Sequence, residues 1–333
     1  MQIVTYPPAL IDAYLADVRN LLESGRVAEG SYYGERASTY VPGKVSIPVA
    51  SGGAGIFALL AYHKHTGGRK MVIVQSNTMR ALYTVPSLLD MKLSVIQSSY
   101  EDFLSMDPDA LRQAFEDAAV RETAVVVYSV IGGYLAPSFQ NIAELCRSAG
   151  VPLIIDGAHA HYLSAVAQRP DVDIAYSFYA TKILPAGEGG LIATDSETRH
   201  TWLRRFLMYD RFSNELQIGL NLRAGELTGA LIHRMMTDET LSRHFKIDRI
   251  AVADRYRAIC VQHGVRYVDP KAAADYNGYK FIVLDAFEKV AALGTALTTH
   301  PPTSAVFDND VRGGPTSLPH WCPPTYASLA SQR

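Results

Sequence analysis

The sequence predicts an α/β protein: a large domain built on a mostly parallel sheet with helices on both faces, then a smaller α+β domain. Two observations carry this. Between residues 45 and 195, short apolar runs alternate with stretches of helical period, the pattern of βαβ units. After Thr194 the alternation stops, and a long helical pattern, weak strand-like runs and a proline-rich tail follow.

Taken in order, residues 9–24 place Leu10, Ile11, Tyr14, Leu15, Val18, Leu21 and Leu22 at helical spacing, with Gly25 as the stop. Residues 45–50 read as a strand that runs into Ser51, Gly52, Gly53, Ala54 and Gly55, and then into a helix carrying Ile56, Leu59 and Leu60. Strand, glycine turn, helix is the layout that aims backbone N–H groups at a phosphate. It is also a common way simply to turn a chain. Strands are expected at 71–75, 93–97, 124–128 and 152–155, with helices at 79–89, 107–120 and 138–149 between them. Beyond the sheet, 196–209 and 225–263 read as helices, the second broken near Thr237 and Asp238. Residues 266–268 and 279–284 read as strands, 287–297 as a short helix, and 298–333 as extended chain. The domain boundary is expected in the long helix, giving 1–240 and 241–333.

Bulk properties narrow the function. A net charge of −2, from 31 basic and 33 acidic residues, gives no reason to expect nucleic acid or an anionic membrane as partner. The longest apolar run, 124–136, contains Ser129, Gly132 and Gly133 and is shorter than the roughly 20 residues a membrane span requires. Cys146, Cys260 and Cys322 form no CxxC pair, which suits a reducing cytosol. No signal peptide is read at the start, so a cytoplasmic protein is expected.

The chemistry gathers between Val151 and Asp195. Leu153, Ile154 and Ile155 end in Asp156; the run 174–178 leads to Lys182; Gly187, Glu188, Gly189 and Gly190 then feed a third run, 191–194. In a parallel sheet ligands bind at the carboxyl ends of strands, and Ser51, Gln75, Ser129, Asp156 and Lys182 all sit at or just past such ends. A strand-end carboxylate and a lysine in an apolar setting are what pyridoxal phosphate (PLP) chemistry needs. The lysine forms a Schiff base, and the carboxylate keeps the pyridine nitrogen protonated. Plainer readings stand beside this one. Lys182 alone could be an ordinary surface lysine, but Asp156 upstream and the glycine turn downstream weigh against that. Asp156 could be a helix cap, and Asp156, His159 and His161 a D-x-x-H-x-H metal set, though no further ligand lies at obvious spacing. His159, one turn past Asp156, is placed to stack on or hydrogen-bond the ring, while His161 reads as a buried, satisfied histidine. His63 and His65, at a helix end, read as solvated. Ser177 offers a hydroxyl to a phosphate or pairs with backbone. Asn221 and Arg223 form a polar turn whose arginine suits an anion.

The segments LLESGRVAEG, ASGGAGIFALL, VIVQSNTM, LIIDGAHAH, SFYATKILPAGEGGLIATD and GLNLRAGELTGA together resemble the DegT/DnrJ/EryC1/StrS family over residues 10–235. These are fold-type-I aminotransferases best known for aminating nucleotide-linked keto-sugars. The resemblance implies an aspartate-aminotransferase-like three-layer large domain and an aminotransferase that uses PLP. Its amino-acid donor would be glutamate or glutamine, and its acceptor a small keto compound. A lyase, dehydratase or cyclising enzyme of the same fold is the alternative, although the family's sugar dehydratases replace the lysine with histidine. By the resemblance Lys182 carries the cofactor and shuttles protons, Asp156 pairs with the pyridine nitrogen, and His159 sits beside the ring. Gly52, Gly53, Ala54 and Ser177 hold the phosphate. Asn221 reaches the phosphate of a neighbouring protomer, which implies a homodimer with shared sites. Two departures stand out. Gly53 replaces the usual threonine of the phosphate turn, and Met79 replaces an aromatic ring over the cofactor, where a thioether packs less rigidly.

Overall fold

The computed structural model describes residues 5–30, 32, 36–99, 102–209, 218–270, 272–284, 297–298 and 327–329. In chain order the first elements are α1 (Pro8–Ser24), β1 (Val45–Val49), α2 (Gly52–Gly67), β2 (Met71–Gln75), α3 (Ala81–Leu88) and β3 (Lys92–Ile96). Then come β4 (Ser98–Ser99), β5 (Ser105–Met106), α4 (Pro108–Ala114), α5 (Ala118–Thr123), β6 (Ala124–Ser129), α6 (Phe139–Ala149) and β7 (Leu153–Asp156). The second half runs α7 (Ser164–Ala167), β8 (Val172–Ser177), β9 (Gly190–Thr194), α8 (Glu197–Phe206), α9 (Glu226–Thr237) and α10 (Thr240–Ser242). It ends with a π-helical turn at Arg243–Ile247, α11 (Asp248–Gln262), β10 (Phe281–Val283), β11 (Leu297–Thr298) and β12 (Ala327–Leu329). These elements fall into two compact units, residues 1–68 with 154–244, and residues 69–153 with 245–333.

In the first unit the strand order is β1–β9–β8–β7. β9 runs antiparallel to both neighbours, so Ile192 lies opposite Ile47 on one side and Ala175 on the other. All of β8 and β9 is buried, which is why these strands read as unbroken apolar runs rather than as alternation. Helix α2 packs on both. A Cβ added at Gly55 would stand 3.3 Å from Ala175 Cβ and from Ile192 Cγ1, so glycine lets this helix lie close. Helix α1 packs on α9 and is pinned there by Arg234, whose Nε and Nη2 donate to the two oxygens of Asp17 at 2.6 and 2.7 Å. The fully buried Glu226 opens α9 and accepts the Gly30 and Tyr32 N–H groups at 2.9 and 3.0 Å.

In the second unit β6, β2 and β3 lie side by side and parallel, while β10, β12 and β11 form a small antiparallel sheet. A buried polar network closes the carboxyl ends of β2 and β6. Gln75 Oε1 accepts the Ser129 N–H at 3.0 Å, and its amide donates to the Asn77 carbonyl at 3.1 Å. The hydroxyls of Thr78 and Ser129 share a hydrogen at 2.5 Å.

Several expectations need correcting. The helix read over 107–120 is two helices: Phe115 buries its ring at the end of α4, and Asp117 restarts the chain by accepting the Ala119 N–H as the cap of α5. Residues 266–268 form only a bridge, Tyr267 opposite Val283. The break in the long helix is where it was expected, because Asp238 accepts both the N–H and the hydroxyl of Thr240. His63 is not solvated. It is 6% exposed and its Nε2 lies 3.5 Å from Asp173. The expected helix at 287–297 and most of the tail, Cys322 included, lie outside the described residues.

Candidate active site

Two glycines bring the end of β8 against the start of α2, and a third brings the turn after β7 against β8. Gly190 pairs with Ser177 across the sheet, and a Cβ on it would sit 2.4 Å from the Ser51 carbonyl carbon. A Cβ on Gly52 would sit 2.9 Å from Ser177 Cβ. Just after β7, a Cβ on Gly157 would sit 2.7 Å from Ile174 Cγ2. Only glycine fits these approaches, and together they set Ser177 beside the first turn of α2. Gly53 differs: an added Cβ there would meet only Ser51 Oγ, at 3.8 Å. Ser51 caps the helix by accepting the Ala54 N–H at 3.1 Å. The first-turn N–H groups of an α-helix have no partner inside it and favour an anion.

Asp156 closes β7, 6% exposed, and its Oδ1 accepts the Ala158 N–H at 3.1 Å. Lys182 sits in a turn beyond β8, held by its N–H to the Tyr179 carbonyl at 2.8 Å. Burial draws its ammonium below the ordinary lysine pKa, and the Asp156 charge acts in the opposite sense. The Lys182 Nζ lies 3.2 Å from His159 Nε2. His161 is buried and donates from Nε2 to the Ser177 carbonyl at 2.9 Å. Burial lowers its pKa to about 4, so the ring is neutral, packed between Tyr176 and Phe178. Ser177 Oγ accepts the Tyr179 N–H at 3.4 Å.

The loop before α9 runs along the end of β1: the Ala50 N–H donates to the Leu222 carbonyl at 2.7 Å. Asn221 is exposed, and its Oδ1 accepts from Arg223, whose other nitrogen pairs with Glu29 at 3.1 Å. Met79 lies in the second unit and is 55% exposed. Among the described residues the structure thus brings Asp156, His159, Ser177, Lys182 and the Gly52–Ala54 turn together within one unit. Among the described residues there is no group of three or more metal-type ligands, and no helix long and apolar enough to cross a membrane. Sequence reasoning missed the His159 to Lys182 contact and the close fit at Gly157 and Gly190. The Asp-Gly and Gly-Gly pairs ending these runs were the available signal.

The residues suit PLP. The glycine-lined helix start lets Ser177 lie against the first-turn N–H groups, where a side chain at Gly52 would push it away, and the desolvated lysine has a carboxylate for neighbour. Comparison with known proteins agrees. The model of the DegT/DnrJ/EryC1/StrS aminotransferase family matches residues 8–306. Spore coat polysaccharide biosynthesis protein SpsC of Bacillus subtilis is 29% identical over 191 residues, 55% of this chain and 47% of that protein. L-glutamine:scyllo-inosose aminotransferase of Streptomyces griseus is 27% identical over 203 residues, 55% of this chain and 45% of that protein. The match thus spans less than half of each of these curated relatives. S. venezuelae DesV, solved in complex with a ketimine intermediate, shares the fold at a TM-score of 0.78 and 22% identity, over 96% of this chain and 89% of DesV.

Proposed function

The chain belongs to the DegT/DnrJ/EryC1/StrS aminotransferase family, and from that premise we infer that it is a PLP-dependent aminotransferase. It moves an amino group from glutamate or glutamine to the keto group of a nucleotide-sugar or related biosynthetic intermediate. The observation that carries this reading is the pairing of a buried strand-end carboxylate, Asp156, with the desolvated Lys182. The donor is supported by the Streptomyces relative, named for L-glutamine, and the acceptor by the keto-cyclitol in the same name.

Bound PLP would supply an aldehyde for amines and a protonated ring that draws electrons from the substrate carbon. The chain's own residues do the rest. Lys182 holds the cofactor through its amine and, once freed, takes and returns the proton at the substrate carbon. Its lowered pKa favours the neutral amine that both tasks need. Asp156 would pair with the ring nitrogen and hold a proton there. The Gly52–Ala54 turn and the Ser177 hydroxyl hold the phosphate, and Asn221 of the neighbouring protomer adds a donor in a homodimer with shared sites. His159 would sit beside the ring.

A lyase, dehydratase or cyclising activity on the same scaffold is the competing reading, and a lysine rather than a histidine at 182 speaks against the sugar-dehydratase form. The test is a half-reaction. Purified protein loaded with PLP is mixed with glutamate or glutamine and no acceptor. Transamination releases about one equivalent of the 2-oxo acid per site and leaves the cofactor aminated. Turnover of a candidate keto-sugar without any 2-oxo acid would favour the lyase reading.

A further inference from the structure

Resting on the cofactor reading above, we propose that His159 is the residue that positions the Lys182 amine, accepting a hydrogen bond from it at Nε2. The sequence placed this ring beside the cofactor; the structure gives it a second partner, with Nε2 at 3.2 Å from Nζ. In its charged form the Lys182 amine has three hydrogens and no lone pair, so it donates and His159 accepts, which puts the imidazole's own proton on Nδ1. Both residues leave the sheet on tight turns. The Ala160 N–H returns to the Gly157 carbonyl at 2.8 Å, and the Lys182 N–H returns to the Tyr179 carbonyl at 2.8 Å. These turns hold the two backbones near each other, and the contact then sets the course of the four-carbon lysine stem. A lysine stem has many rotamers, and a well-placed acceptor selects one from that set.

Asp156, His161 and His159 are among the titratable groups that face Lys182. Asp156 attracts the ammonium. His161 feels its charge and is kept neutral by burial, against the opposing pull of its bond to the Ser177 carbonyl. His159 touches it. Histidine is the side chain that changes charge in the physiological range, and a protonated His159 has no lone pair at Nε2. The contact then opens and two cations repel. Positioning of the amine is lost as the imidazole takes up its proton and restored when it is released.

The test has two arms. In cofactor-free protein, the imidazole of His159 is titrated by heteronuclear NMR in wild type and in Lys182→Met. The expected result is an Nδ1–H tautomer in wild type and a titration midpoint that rises in Lys182→Met, because a neighbouring cation is gone. In the second arm, covalent capture of PLP is trapped with borohydride across pH. His159→Gln keeps an acceptor at similar reach; it should capture within about threefold of wild type and lose the acid limb of the profile. His159→Phe keeps a ring but no acceptor and should be slower by about tenfold. Equal rates and pH profiles for the two variants, or a His159 titration unmoved by Lys182→Met, would overturn the proposal. If wild type traps no PLP on Lys182, the aminotransferase reading fails, and the titration by itself still decides the contact.

Discussion

Two lysines in the first unit are drawn below the ordinary lysine pKa by burial, Lys44 at the amino end of its strands and Lys182 beyond the carboxyl end. Their surroundings separate them. Lys44 has a closed set of partners: Nζ donates to the Val172 carbonyl at 2.9 Å and lies 3.7 Å from Asp195. Next to it Asp173, almost fully buried, accepts from Arg199 at 2.5 Å and faces His63 at 3.5 Å. Burial pushes the Asp173 pKa up, but His63 and Arg199 outweigh it and leave the carboxyl below its usual range. Lys182 has a strand-end carboxylate, a histidine and a glycine-lined helix start for company. A depressed lysine pKa therefore marks burial and not chemistry. What marks chemistry is burial beside groups arranged around a space that a ligand would fill.

Breaking the closed end should give the largest stability effect. Asp173→Ala leaves Arg199 buried without its carboxylate, and losing one partner of a buried pair costs about 3–5 kcal/mol. The denaturant midpoint should fall accordingly, while protein that remains folded still captures PLP. A midpoint within error of wild type would mean that the network is better hydrated than its burial indicates.

Acid should separate the two ends by pH window. His161 has a folded pKa of about 4 against an ordinary 6.5. The unfolded chain therefore binds its proton first, and stability is lost as pH falls from about 6.5 to about 4. A gap of about 2.5 units at about 1.4 kcal/mol each sets this near 3 kcal/mol. Asp173, with its pKa lowered, keeps its contribution until pH falls below the ordinary carboxylate range. Urea midpoints of wild type and His161→Gln, measured across this window, should converge as the pH drops. Parallel curves would show that His161 is not the group being titrated.

The contrast between the two ends also shows what could be read in advance. Apolar runs fixed the strands, and Asp156, Ser177 and Lys182 were visible because each directly ends or follows such a run. Lys44, His63 and Glu226 were not. Their burial depends on partners 128, 110 and 196 residues away, Val172, Asp173 and Gly30, and no local pattern encodes such distances. The split between α4 and α5 was legible in principle, since Asp117 is a good cap, but the surrounding helical period masked it. The contact between His159 and Lys182 lies in how two turns meet, which spacing along the chain does not specify.

The most direct measurement is to reconstitute the protein with PLP, reduce it with borohydride and map the adduct by mass spectrometry. The account predicts one phosphopyridoxyl group, on Lys182, absent in Lys182→Ala and never on Lys44, whose pKa burial also lowers. An adduct on Lys44 or another lysine, or none in protein shown to be folded, would contradict it.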